Sequence, residues 1–205
     1  MKGFFITFEG SEGSGKSTQI QMVHQHLKKA RKPVILLREP GGVRISEKIR
    51  RILLDVNNKE ISKECETLLY MAARAQIVKE LILPELKKGT IILCDRFLDS
   101  TVVYQGYGCG VDIDFINQVG AFVTQGLEPH LTLIFDIDAK KGLSRIARAK
   151  DRIELRDISY HNKVRKGYQE LGRLYPDRVK LIESDQSRED IFTIVMNYIN
   201  QVIKV

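Results

Sequence analysis

The run Gly10-Ser11-Glu12-Gly13-Ser14-Gly15-Lys16-Ser17 fits the pattern G-x-x-x-x-G-K-[ST]. Glycines at these places let the backbone curl with its N–H groups pointing inward, a nest for anionic oxygens. A helix that starts at the end of the loop adds partial positive charge from its N-terminus. Lys16 can then reach the β- and γ-phosphates of a nucleoside triphosphate, and the Ser17 hydroxyl can ligate Mg²⁺. Thr18 falls on the α-phosphate side. The context agrees: an apolar, strand-like run Phe4–Phe8 precedes the loop, and an amphipathic helical pattern begins near Ser17. The motif specifies a bound triphosphate and leaves open what receives its phosphoryl group.

Asp95 ends a second apolar run, Ile91-Ile92-Leu93-Cys94. Ligands of open α/β sheets collect at the carboxyl ends of strands, so Asp95 is a candidate Mg²⁺ carboxylate, acting through water. Capping of a following helix is its plainer role. Arg96 follows at once. A fixed cation beside the metal suits an enzyme that must clamp a second phosphate; a surface ion pair is the alternative.

These residues need a scaffold. Strand candidates are Phe4–Phe8, Val34–Leu37, Ile91–Cys94, Leu131–Phe135 and Val179–Ile182. Helical patterns lie near 17–30, 45–55, 62–87, 112–125, 140–149, 159–175 and 188–203. Short buried strands alternating with helices predict an α/β fold: a five-stranded parallel sheet with helices on both faces, in three layers with right-handed crossovers. Pro33, Pro84 and Pro176 fall near element boundaries. No repeat, low-complexity tract or linker divides the chain, so residues 1–205 are expected to form one domain. Residues 148–157 are rich in charge and poor in apolar side chains, as in a flap or a solvated connection.

Bulk properties narrow the class. The chain has 205 residues, 43% hydrophobic and 29% charged, an ordinary globular balance. No apolar run is long enough to cross a bilayer, and Met1-Lys2-Gly3-Phe4 leads straight into strand sequence without the features of a signal peptide. Cys65, Cys94 and Cys109 are too few and too scattered for a disulfide framework or zinc cluster, which points to a reduced, cytoplasmic protein with Cys94 buried. The net charge of +7 is dispersed rather than gathered in a stripe with aromatics, so it favours small anions over nucleic acid. No Asn-Lys-x-Asp guanine motif is present. The classes still open are a small P-loop kinase, a regulatory nucleotide-binding protein and a nucleic-acid-stimulated ATPase.

Further motifs follow in order: Arg38-Glu39-Pro40-Gly41-Gly42, Asp95-Arg96-Phe97-Leu98-Asp99-Ser100, Tyr104-Gln105-Gly106-Tyr107-Gly108 and Asp151-Arg152-Ile153-Glu154. In this order and spacing, from about residue 3 to residue 187, the chain resembles the bacterial thymidylate kinases. The resemblance implies a P-loop NTPase fold that moves the γ-phosphoryl group of ATP onto dTMP, giving dTDP and ADP on the way to dTTP. It also implies Mg²⁺, a cytoplasmic homodimer built on packed helices, and no nucleic-acid or membrane partner. The family has two subtypes, one with a basic residue inside the phosphate loop and one with basic residues in a LID segment. With Glu12 at the variable loop position and Arg145, Arg148, Lys150 and Arg152 later on, the chain resembles the second, its LID near 145–157.

Residue roles follow from the same resemblance. Arg96 grips the dTMP phosphate, Glu12 lies near the sugar 3′-hydroxyl, and Glu39 lies near sugar and phosphate. Tyr70 packs on thymine and Arg74, four residues later and so on the same helix face, bonds a base oxygen. Gln105 reads the thymine edge with the donor and acceptor of its amide, assisted by Thr101. Tyr104 packs beneath the sugar and disfavours a 2′-hydroxyl, which argues against a UMP/CMP-type enzyme. Arg50 is a further pocket residue that the sequence barely separates from Arg51. Arg152 first, then Arg148, are the LID arginines expected at the moving phosphoryl group. Ser184, Asp185 and Gln186 resemble the loop against adenine. Three departures stand out: Val43 for a usual threonine, Cys109 for a common arginine and His130 for an aspartate.

Overall fold

Strands buried on both faces read as continuous apolar runs, and here such runs form the middle of the sheet. The computed structural model describes residues 3–203; the two residues at each end of the expected 1–205 unit lie outside the described residues. The strands are β1 (Phe4–Gly10), β2 (Val34–Arg38), β3 (Ile91–Asp95), β4 (Leu131–Asp136) and β5 (Val179–Glu183). They pair in the order β2-β3-β1-β4-β5, all parallel. Each expected strand is present; β2 to β5 run one residue further, to the charged residue at the carboxyl end, and β1 runs two further, to Gly10.

The helices are α1 (Lys16–Lys29), α2 (Arg44–Leu54), α3 (Lys63–Ile77), α4 (Leu83–Lys87), α5 (Leu98–Thr101), α6 (Ile113–Thr124), α7 (Ala139–Ser144), α8 (Ile158–Leu174) and α9 (Arg188–Ile203). Alternation along the strands sorts the core. Ile6, Phe8, Leu133 and Phe135 face Ile20, Val23 and Leu27 of α1 and Val195 and Ile199 of α9. Phe5, Ile92 and Cys94 face the other way, onto Ile77 and Phe97, while Ile134 meets Val164, Tyr168 and Leu171 of α8. The result is the expected three-layer α/β fold. Burying each large apolar side chain stabilises it by about 1.5–3 kcal/mol before conformational entropy is counted.

Three helix expectations change. The stretch 62–87 is α3 and α4 joined by a π-helical turn, Val78–Ile82. The widened turn lets Pro84 sit in the first turn of α4, where its missing N–H and ring are tolerated. The stretch 140–149 is helical only through Ser144; Arg145–Lys150 carries three basic residues and no broad apolar face that a helix could bury. Residues 98–108 had no assigned element. They form α5 and a second π-helical segment, Val102–Gly108, and π turns occur often at functional sites. Among the described residues no helix is long and apolar enough to cross a membrane. Cys65, Cys94 and Cys109 are unbridged, with Cys94 buried as expected.

Candidate functional site

The register of the sheet assembles the site. Phe8 pairs with Asp95, and Arg38 pairs with Asp95 from the other side. The ladder continues past the strand ends: Arg96 N–H donates to Phe8 O at 3.0 Å, and Glu39 N–H donates to Asp95 O at 3.0 Å. The phosphate loop, Asp95-Arg96 and Glu39 therefore emerge side by side at the carboxyl end of the sheet, where α/β folds hold their ligands.

In the loop, Gly13 and Gly15 have φ of 67° and 88°, a left-handed conformation that suits glycine. Gly13 is also a contact point, because a Cβ there would strike the backbone oxygen of Gly142 on α7, and one on Gly142 would strike that of Glu12. The loop is thus pressed onto α7 with no side chain between. Ser11, Ser14 and Lys16 are buried, and Ser14 Oγ has no hydrogen-bond partner in the protein. Thr18 is exposed, its N–H donating to Gly15 O at 3.1 Å. Burial, then the neighbouring Arg96, pull the Lys16 pKa below its ordinary value, while Asp95, Glu12 and Glu9 pull it back. An anionic phosphate would relieve that strain on its charge.

Ser17 Oγ donates to Asp95 Oδ2 at 3.2 Å. One hydroxyl and one carboxylate are hard oxygen donors of the kind that suits Mg²⁺, which keeps much of its water and takes other ligands from substrate phosphates. No cluster of three or more His, Cys, Asp or Glu side chains capable of holding a metal occurs among the described residues.

Arg96 has φ of 73°, an uncommon conformation for a side chain with a Cβ. Its neighbours account for the persistence of that strain. The guanidinium donates to Glu12 Oε1 at 2.8 Å, to Tyr168 OH at 3.1 Å and to Ser100 Oγ at 3.2 Å, and lies 4.8 Å from the centre of the Tyr104 ring. Tyr104 OH also donates to Glu12, at 2.7 Å. Burial pushes the Glu12 carboxyl up, but Arg96, Lys16 and Tyr104 together bring it down to about 2. Behind this cluster sits Glu9, fully buried, accepting from Phe97 N–H at 2.7 Å and Tyr168 OH at 2.9 Å and from the Ser100 hydroxyl. Burial and the nearby Asp99 raise its pKa to about 7, against Arg96, Ser100 and the Phe97 N–H. Glu9 and Tyr168 carry no motif signal, each looking like an ordinary strand-end or helix residue, and Ser100 closes the motif Asp95–Ser100 with no role attached to it.

The opposite wall comes from α3 and the π-helical segment. Arg74 is buried and bonded through each of its three nitrogens: Nε with Glu39 at 2.8 Å, Nη1 with Thr101 Oγ1 at 2.9 Å and Nη2 with Phe97 O at 2.9 Å. Glu39 Oε1 is buried without a partner, and burial raises the Glu39 pKa against the pull of Arg74. A hydroxyl donor would satisfy that oxygen. Gln105 Nε2 donates to Glu66 Oε1 at 2.9 Å. The nine residues expected on the acceptor side, Glu12, Glu39, Arg50, Tyr70, Arg74, Arg96, Thr101, Tyr104 and Gln105, all line one cleft, together with Lys16, Ser17, Asp95 and Arg148. Arg50, not Arg51, faces it, donating to Pro40 O at 2.9 Å.

The segment 145–157 divides its arginines. Arg148 lines the cleft and pairs with Glu154 through contacts of 2.9 and 2.7 Å. Arg152 turns away, donating to Glu66 at 2.6 Å and to Leu53 O at 2.9 Å. Arg152 does not line the cleft, and Arg148 does. Arg145 and Lys150 are exposed. Asp151 and Glu154 line the cleft too; the motif containing them was visible, but only its arginine drew attention. Asp185 pairs with Lys141 at 2.6 Å in a separate depression beside Asp136, with Ser184 buried and Gln186 bonded to Glu183 O at 3.2 Å.

The departures have local explanations. Val43 packs against the apolar cluster that contains Leu37 and Ile77. His130 Nδ1 accepts from Phe5 N–H at 3.0 Å. Cys109 Sγ accepts from Arg156, so a neighbouring arginine occupies the region where the family has its own.

Known proteins share the sequence and the fold of this chain. The family model for thymidylate kinase matches residues 8–195. A thymidylate kinase from Oceanobacillus iheyensis is 44% identical over 98% of this chain and 93% of its own, and one from Bacillus licheniformis is 42% identical over 100% and 98%. The crystal structure of thymidylate kinase from Ehrlichia chaffeensis superposes with a TM-score of 0.81 at 30% identity, covering 97% of this chain and 99% of the other. A parallel sheet with a phosphate loop at the carboxyl end of its central strand, matched along nearly its whole length by enzymes of one kind, places the chain in the thymidylate kinase family.

Proposed function

We propose that the chain performs the reaction of its family in this cleft, transferring the γ-phosphoryl group of ATP to dTMP to give dTDP and ADP. The observation that carries the reading is the convergence of all nine acceptor-side residues on one cleft bounded by Lys16, Ser17 and Asp95.

The phosphate loop binds the triphosphate through backbone N–H groups, and Lys16 bridges toward the transferring group. Ser17 and Asp95 would hold Mg²⁺, which would supply charge neutralisation at the phosphates. Arg96, locked by Glu12, Tyr168 and Ser100, holds the dTMP phosphate in line. That phosphate oxygen is already anionic, so no strong base is needed, and positioning and charge stabilisation carry the chemistry. Arg148 is the LID arginine that balances charge on the moving group, and closure of 145–157 excludes water. Tyr70, Arg74, Thr101 and Gln105 recognise thymine. Glu12 and Glu39 lie at the sugar, with the unpartnered Glu39 oxygen accepting a hydroxyl, and Tyr104 disfavours a 2′-hydroxyl. The enzyme works as a cytoplasmic homodimer; exposed Phe115 and Phe122 on α6 and Leu68 on α3 support a helical interface.

A coupled ADP-release assay with ATP, Mg²⁺ and each of dTMP, dUMP, UMP, dCMP and dGMP tests this. Strong preference for dTMP is expected. Equal or absent turnover across the five would leave only triphosphate binding standing.

A further inference from the structure

Glu66 lies on α3 with its carboxylate wholly shielded from solvent. Three side chains from two other parts of the chain converge on it. Oε1 accepts from Gln105 Nε2 at 2.9 Å, and Oε2 accepts from Arg152 at 2.6 Å and Arg156 at 2.7 Å. Both arginines have second anchors: Arg152 on Leu53 O at the end of α2, and Arg156 on Cys109 and over the Tyr160 ring. A buried acid with two arginines and an amide is satisfied only while all of these elements stay in register.

We propose that Glu66 is a positioning residue that orients the Gln105 amide for the base and ties that orientation to the docking of segment 145–157. The proposal rests on the roles given above to Gln105 and the LID. A carboxylate only accepts hydrogen bonds, so Glu66 holds the nitrogen end of Gln105 toward itself and reserves the carbonyl oxygen for a donor. Thymine presents a ring N–H at that position, whereas cytosine presents an acceptor nitrogen. The same carboxylate anchors Arg152 and Arg156, so a base that pulls Gln105 out of place also loosens the segment carrying Arg148.

Glu66→Gln separates this from a merely structural role. The new amide offers a donor to Gln105 and lets it turn. The kcat/KM preference for dTMP over dCMP is expected to fall about tenfold, with the KM for ATP little changed. Trypsin cleavage within 148–156 in the free enzyme is expected to quicken about threefold or more. In a Gln105→Ala background, the effect of Glu66→Gln on base preference should vanish, because the amide it steers is gone. Glu66→Asp keeps the charge but shortens the reach, and serves if Glu66→Gln fails to fold by circular dichroism. If Gln105→Ala loses base preference while a folded Glu66 variant retains it, the coupling is overturned and the base-edge role of Gln105 survives. If Gln105→Ala itself keeps full preference for dTMP, the base-edge role fails and the coupling falls with it.

Discussion

At the scale of single residues, the cleft separates charge that must move from charge that must stay. Lys16 is buried at the start of α1, and desolvation already weakens its hold on a proton, so its charge is best stabilised by a phosphate. Arg96 is held by three side chains. Arg148 is held by Glu154 and the Ala149 carbonyl, both on its own segment, and remains exposed, so it can move with the segment that carries it. The two cations should therefore fail differently. Lys16→Ala removes a group bound to the triphosphate throughout, and kcat should drop by about 10³ or more together with weaker ATP binding. Arg148→Ala removes a group engaged on closure, and kcat should drop by about 10³ with the ATP dissociation constant nearly unchanged. Steady-state kinetics with titration of a fluorescent ATP analogue read both. Thermal unfolding should stay near wild type in each, and an active, folded Lys16→Ala protein would sink the assignment.

At the scale of elements, legibility followed periodicity. The strands and α1, α2, α6, α8 and α9 carry regular apolar patterns and end within a residue or two of where those patterns stop. The π-helical segments Val78–Ile82 and Val102–Gly108 have no simple period, so the helix bearing Tyr104 and Gln105 was visible as a motif before it was visible as an element. The partners of motif residues were harder still. Nothing in Phe8-Glu9-Gly10 says that Glu9 reaches the amide of Phe97 on one neighbouring segment and Tyr168 on α8; only the three-dimensional crossing creates that network. Glu9 joins β1, the start of α5 and α8, and its titration should be visible in stability. Its folded pKa of about 7 lies above the 4.5 of an unperturbed carboxyl. Between these values the folded state keeps a proton that the unfolded state has lost. The stability contribution is thus full below about pH 4.5 and disappears as pH rises through 7, by roughly 3 kcal/mol in total. Glu9→Gln cannot ionise and should lack this component. Urea unfolding at intervals from pH 5 to 8 should show a steeper decline for wild type than for the variant; parallel curves would mean that Glu9 does not hold a proton in the folded protein.

At the scale of the whole molecule, the cleft accounts for one face and α6 dominates another. Phe115 and Phe122 are seven residues apart, two helical turns, and so share a side of α6. They are 45% and 82% exposed, and Leu68 on the neighbouring α3 is 50% exposed. Single exposed apolar residues are unremarkable, but large ones grouped on adjoining helices mark a surface that another protein covers. A two-fold partner is the economical occupant, because an isologous contact uses the same patch twice and matches apolar with apolar. Phe122→Asp tests it, since the substitution places two carboxylates at the centre of such an interface and touches nothing in the cleft. Sedimentation equilibrium at micromolar concentration should show wild type as a dimer and Phe122→Asp as a monomer with an unchanged circular dichroism spectrum. The consequence for catalysis follows from α3, which packs on α6 and carries Tyr70 and Arg74 into the acceptor wall. Losing the partner should raise the KM for dTMP several-fold, on the order of 1 kcal/mol, and leave ATP binding to the phosphate loop as it was. A monomeric wild type, or a dimeric Phe122→Asp, would remove this face of α6 from the assembly and free it for a different partner.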